Sequence, residues 1–84
     1  MEAYRKGLRV WVIGAGGLVW KGRVTSSYCT ARATYYRVKT EEAVGSRVYE
    51  AYDMFRNEAD AYDESARRFE ALAAMHRSRA IHLR

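Results

Sequence analysis

From Leu8 to Ile13 the chain alternates, with Leu8, Val10 and Val12 on one side and Arg9 and Trp11 on the other. Strand side chains point to opposite faces in turn, so this segment, rich in β-branched and aromatic residues, reads as a strand. Gly14-Ala15-Gly16-Gly17 interrupts it with residues that accept the positive φ of a tight hairpin. Leu18 to Thr25 follows as a second strand, and the polar stretch Ser26 to Arg32 bridges to a third over Thr34 to Thr40. Glu41 to Ser46 contains Gly45 and reads as a turn, and Arg47 to Tyr52 as a fourth strand. The period then changes. Ala59, Tyr62, Ala66, Phe69 and Ala73 step by three and four with Leu72 alongside, which is one face of a helix. Asn57 is placed to cap it, with Asp60 three residues on.

The pattern predicts an α+β fold in a single domain over residues 1–84. A small antiparallel four-stranded sheet or barrel covers 8–52, and one long C-terminal α-helix covers 57–80. Tyr62 and Phe69 should be buried against the sheet with Val10, Val12, Val24, Val38 and Val48. A helix from Glu58 to Arg79 runs about 33 Å at 1.5 Å per residue. Four short strands cover roughly 20 Å of that length, so the turns from Met75 to Leu83 should project beyond the core.

Inward Leu8, Val10 and Val12 leave Arg9 and Trp11 outside, and inward Leu18, Trp20 and Val24 leave Lys21 and Arg23 outside. In the third strand Tyr36 and Val38 would be inside, leaving Tyr35, Arg37 and Lys39 outside. Both hairpin strands keep these faces if the connection holds an odd number of residues. Ile13 to Gly17 would do so, setting Val12 against Leu18 and Arg9 against Lys21. An even connection would set Trp11 against Trp20 and bury Arg9.

Composition then narrows function. Residues 1–40 carry eight basic groups against one acid, a charge of +7; residues 41–64 carry eight acids against two arginines, −6; residues 65–84 carry five arginines against one acid, +4. A basic strand region, an acidic connector and a basic tail govern which partners are attracted. Acids open the helix while His76, Arg77 and Arg79 lie near its end, as the helix dipole favours. No apolar run approaches the roughly 20 residues of a membrane span, and the N-terminal residues do not read as a secretory signal. The single cysteine, Cys29, forms no internal disulfide, so a reducing, cytoplasmic setting is expected.

Candidate chemistry is sparse. Val10 to Leu18 superficially resembles the opening of a dinucleotide-binding fold, but Val19 occupies the third glycine position and a strand follows. Cys29, His76 and His82 are the candidates for nucleophilic or metal chemistry, and the two histidines lie six apart on different helix faces. Neither a catalytic residue, a metal site nor a cofactor is expected.

The alternating first hairpin and the Leu18 to Val24 run, where Gly22 permits a sharp strand bend, resemble a Src-homology-type small barrel. In its size and lack of catalytic groups the chain also resembles the small binding proteins of phages and mobile elements, anti-CRISPR proteins among them. That resemblance implies a non-catalytic inhibitor that occupies the surface of a nucleic-acid-guided bacterial defence complex. The alternative is a small basic barrel that binds DNA or RNA directly. A third option is a homodimer formed through the C-terminal helix. On the first two readings the expected partner surface is Arg9, Trp11, Lys21, Arg23, Tyr35, Arg37 and Lys39. Met75, Arg77, Arg79 and Leu83 on the helix end form a secondary one. An anionic partner would relieve like charges facing each other across strands.

Overall fold

The computed structural model describes residues 4–41 and 45–84. Its elements are β1 (Arg9–Ile13), β2 (Val19–Cys29), β3 (Thr34–Thr40), β4 (Ser46–Glu50), β5 (Met54–Phe55) and α1 (Glu58–His82). The strands form one antiparallel sheet in the order β4-β3-β2-β1-β5, and β4 and β5 lie at its edges with no ladder between them. Among the described residues the fold is α+β as expected, but with five strands rather than four, in a sheet that does not close. The fourth strand ends at Glu50 because the chain turns through a 3-10 segment at Ala51–Asp53, which delivers Met54 and Phe55 to β1. The turn expected over Glu41 to Ser46 lies partly outside the described residues, at 42–44.

Period-two alternation builds the core. Val10, Val12, Val24, Tyr36, Val38 and Met54 are all buried on one face, with Tyr4, Leu8, Trp20 and Tyr49 packed around them. Tyr4 closes this face: its hydroxyl donates to the Met54 carbonyl at 2.8 Å and its ring meets Tyr36 edge-on at 5.3 Å. No helix residue belongs to the cluster, so the sheet curls around its own apolar face. Two features of β2 permit that curl. Val24 pairs with Val38 but Ser26 with Arg37, so Thr25 is an extra, bulged residue, and bulges bend a strand. Gly22 lies against β3 so closely that a Cβ there would stand 2.6 Å from the Lys39 carbonyl oxygen.

The helix docks on the other side, and on a different stripe from the one its large residues mark. Ala61 and Ser65 are its buried residues, whereas Tyr62 and Phe69 are 56% and 52% exposed. Val48, also expected inside, is on the open side of β4. Small size explains the choice. Ser65 comes close enough to donate its hydroxyl to the Gly17 carbonyl at 2.5 Å, and a residue with a Cβ at Gly17 would meet the Phe69 ring. Arg68 completes the docking with a 2.6 Å bond to Asp53, a 2.8 Å bond to the Tyr52 carbonyl and its guanidinium over the Tyr52 ring. Asn57 caps the N-terminus, its side chain accepting from the amides of Ala59 and Asp60. The helix spans about 37 Å at 1.5 Å per residue. Its last turns stand clear of the sheet, as expected, with Met75 and Leu83 exposed, and it ends at His82 rather than residue 80. Among the described residues no helix is long and apolar enough to cross a membrane.

Arg68 also binds Glu64 at 2.8 Å. That hydrogen bond, assisted by the charges of Arg67 and Arg68, holds the Glu64 carboxyl below its ordinary 4.5. A depressed folded value means that the stabilisation is present above the ordinary value and lost as pH falls through the folded one. Thermal stability should therefore decline below about pH 4.5, and Glu64→Gln should flatten that acid limb. An unchanged limb in the variant, followed by melting curves, would exclude this clamp as a titrating element.

Candidate anion-binding face

The outer face of the sheet carries cations on three adjacent strands. Arg9 of β1 pairs with Arg23 of β2, and Arg23 with Lys39 of β3. Strands lie about 4.8 Å apart, so the ladder spans roughly 10 Å. The expected partner of Arg9 was Lys21, two residues away in register. Gly14 to Leu18 forms the connection instead of Ile13 to Gly17, so Val12 faces Trp20 and Leu18 is left exposed. The connection remains odd in length, so the faces are those expected. Like charges directly opposite destabilise a sheet, and here two such pairs share Arg23. Among the described residues no ion pair engages Arg9, Arg23, Arg37 or Lys39. Arg23 donates only to the Gly7 carbonyl, at 3.1 Å. An open depression of about 400 Å³ lies here, lined by Arg9, Lys21, Arg23, Thr25, Lys39 and Glu41.

The bulge at Thr25 extends this surface. It shifts the alternation of β2 by one residue, so Tyr28 comes to the same face as Arg23 and pairs with Tyr35. The two rings stack at 5.4 Å between centroids, 26° from parallel, and the Arg37 guanidinium stands 5.8 Å over Tyr28. Tyr28 was missed in the sequence because Ser26 to Cys29 reads as a loop when strict alternation is demanded across a bulge. The pairing of two tyrosines flanking a short polar turn was the signal present.

Of the seven residues expected on this surface, Arg9, Arg23, Arg37, Lys39 and Tyr35 lie on this face of three adjacent strands. Lys21 stands at its margin, neutralised by Glu41 at 3.1 Å. Trp11 is half-buried near the start of α1, its indole N–H donating to Glu58 at 3.2 Å, and so belongs to the helix contact. Glu50, opposite Tyr35 on β4, ends the basic stripe. Arg77, Arg79, Met75 and Leu83 lie on the projecting helix, apart from this face. The Cys29 sulfur sits 3.3 Å from the Thr34 hydroxyl at the end of the β2–β3 hairpin, while His76 and His82 are exposed on α1.

This arrangement can hold an anion with three arrayed cations and offer an aromatic face to a planar group beside it. No family model matches this chain, and neither a curated relative nor a solved structure resembles it.

Proposed function

We propose that this chain is a non-catalytic binding protein that seats the phosphate backbone of a nucleic acid on the Arg9–Arg23–Lys39 ladder. Tyr28 and Tyr35 take an unpaired base by stacking, and Arg37 bridges the two regions. The ladder carries the reading: like charges held opposite each other weaken the sheet, and a bound polyanion relieves them. A basic groove beside stacking aromatics is how single strands are held without sequence preference. Four of the eight acids over residues 41–64 are engaged within the chain. Asp53 and Glu64 are held by Arg68, Glu58 bonds Trp11, and Glu41 bonds Lys21.

A second reading is a phage-borne inhibitor that blocks a nucleic-acid-guided defence complex. Exposed Asp60 and Asp63 on the helix favour it, since free acids suit the basic channel of such a complex better than they suit DNA.

Fluorescence anisotropy with labelled single-stranded DNA and RNA separates the two. Direct binding should be micromolar or better at low salt. Three backbone contacts on a single strand give a slope of log affinity against log salt of about −2. Absence of binding to either nucleic acid at low salt would sink the first reading and leave a protein partner.

A further inference from the structure

Along α1 and its C-cap, Ala59, Ala66, Ala73 and Ala80 recur every seven residues, and so do Tyr62, Phe69, His76 and the capping Leu83. Together they alternate by three and four over 25 residues, the period of a helix that pairs with another helix. The domain uses this stripe only in part: the Phe69 ring lies over the Gly17 turn and Tyr62 stands beside Trp11, yet about half of each remains open. The helix docks through the neighbouring residues Ala61, Ser65 and Arg68, and leaves Tyr62 and Phe69 half exposed and Leu83 77% exposed. One small residue per heptad allows close approach of a second helix, with the large residue of each heptad filling the space beside it.

Charge identifies the occupant. On one flank of the stripe Asp63, Glu70, Arg77 and Arg84 are also seven apart, running from acidic to basic, and on the other flank Glu58 and Arg79 run the same way. The helix dipole acts within the first and last turns, which hold Glu58 and Asp60 at one end and Arg79 and His82 at the other, so it does not account for Glu70 in mid-helix and reaches Arg77, just before the last turn, only weakly. We propose that two copies of this chain pair through α1 in antiparallel orientation. A two-fold axis between Glu70 and Arg77 sets each Glu70 against the second copy's Arg77, and each Asp63 against its Arg84. The crossing then falls at Ala73 and Ala74. A parallel pair would put acids beside acids at one end and arginines beside arginines at the other, which the flanking charges forbid. The pairing is independent of the anion-binding face.

Sedimentation equilibrium of the full chain tests this, from micromolar to near-millimolar concentration and under reducing conditions so that exposed Cys29 does not link copies. A reversible dimer that weakens with added salt is expected. Glu70→Arg turns two symmetry-related attractions into repulsions and should weaken dimerisation about tenfold, as should Arg77→Glu. The double variant restores opposite charges only in the antiparallel arrangement, and should return to within about threefold of the original affinity. Ala73→Glu, at the crossing, should leave a folded monomer by circular dichroism. A monomer at every concentration overturns the proposal. So does a dimer indifferent to Glu70→Arg, or a double variant as weak as the single ones.

Discussion

Replacing Gly22 with valine is expected to lower stability by about 2–4 kcal/mol, the cost of forcing atoms into a packed site that cannot yield. A Cβ at this position stands 2.6 Å from the Lys39 carbonyl oxygen and 2.8 Å from a Val38 methyl, so backbone, not a movable side-chain tip, must give way. Val38 is fully buried, which leaves little room to retreat. An 84-residue domain has roughly 4–12 kcal/mol in all, so the loss is a large share. In melting experiments it corresponds to a fall of about 10–25 °C. Gly22→Ala should be milder with the same sign. Gly16→Ala is the control: open space surrounds it, so its cost is limited to the positive φ of 71°. If urea denaturation finds Gly22→Val within 0.5 kcal/mol (roughly the spread of neutral surface changes) of the parent, β2 does not press on β3 there.

Gly22 was readable as a bend because a glycine inside an alternating strand has few other uses. The inner face was equally readable: Val10, Val12, Val24 and Val38 alternate with charges, and charge fixes which side meets water. What failed was phase wherever a local feature inserts or replaces a residue. The 3-10 turn at Ala15–Gly17 moved the hairpin register by two, which changed the partner of Arg9 without changing its face. The bulge at Thr25 hid four residues of β2 and with them Tyr28. Two-residue β5 carries too few positions to show a period. The helix failed for a different reason. Sequence reasoning assigns the largest apolar stripe to the core, but the sheet fills its own inner face and meets the helix with Trp11 and Ile13 of β1, the Gly17 turn, and Tyr52 and Asp53. Small Ala61 and Ser65 fit closely against that surface, whereas the Phe69 ring lies over Gly17 and stays half exposed. Burial follows the shape of the receiving surface as well as side-chain hydrophobicity.

Arg23→Glu should separate binding from stability by moving them in opposite directions. Arg23 sits at the centre of the ladder, so the substitution changes two like-charge cross-strand pairs, with Arg9 and with Lys39, into opposite-charge pairs. Each such pair is worth about 0.2–1 kcal/mol relative to a neutral one. The hydrogen bond from Arg23 to the Gly7 carbonyl is lost, but it is exposed and offsets only part of the gain. Net stability should rise by a few tenths of a kcal/mol, up to about 1 kcal/mol. Binding of a single strand should fall by at least about tenfold, because one phosphate contact is removed and a repulsive charge stands in its place. The salt slope should drop by about 0.7 or more for the same reason. Surfaces kept for function commonly cost stability, and a change that strengthens the fold while weakening binding is the signature of such a site. The opposite result, a destabilised protein that binds nucleic acid at full strength, would make the ladder a structural feature and remove it from the binding surface.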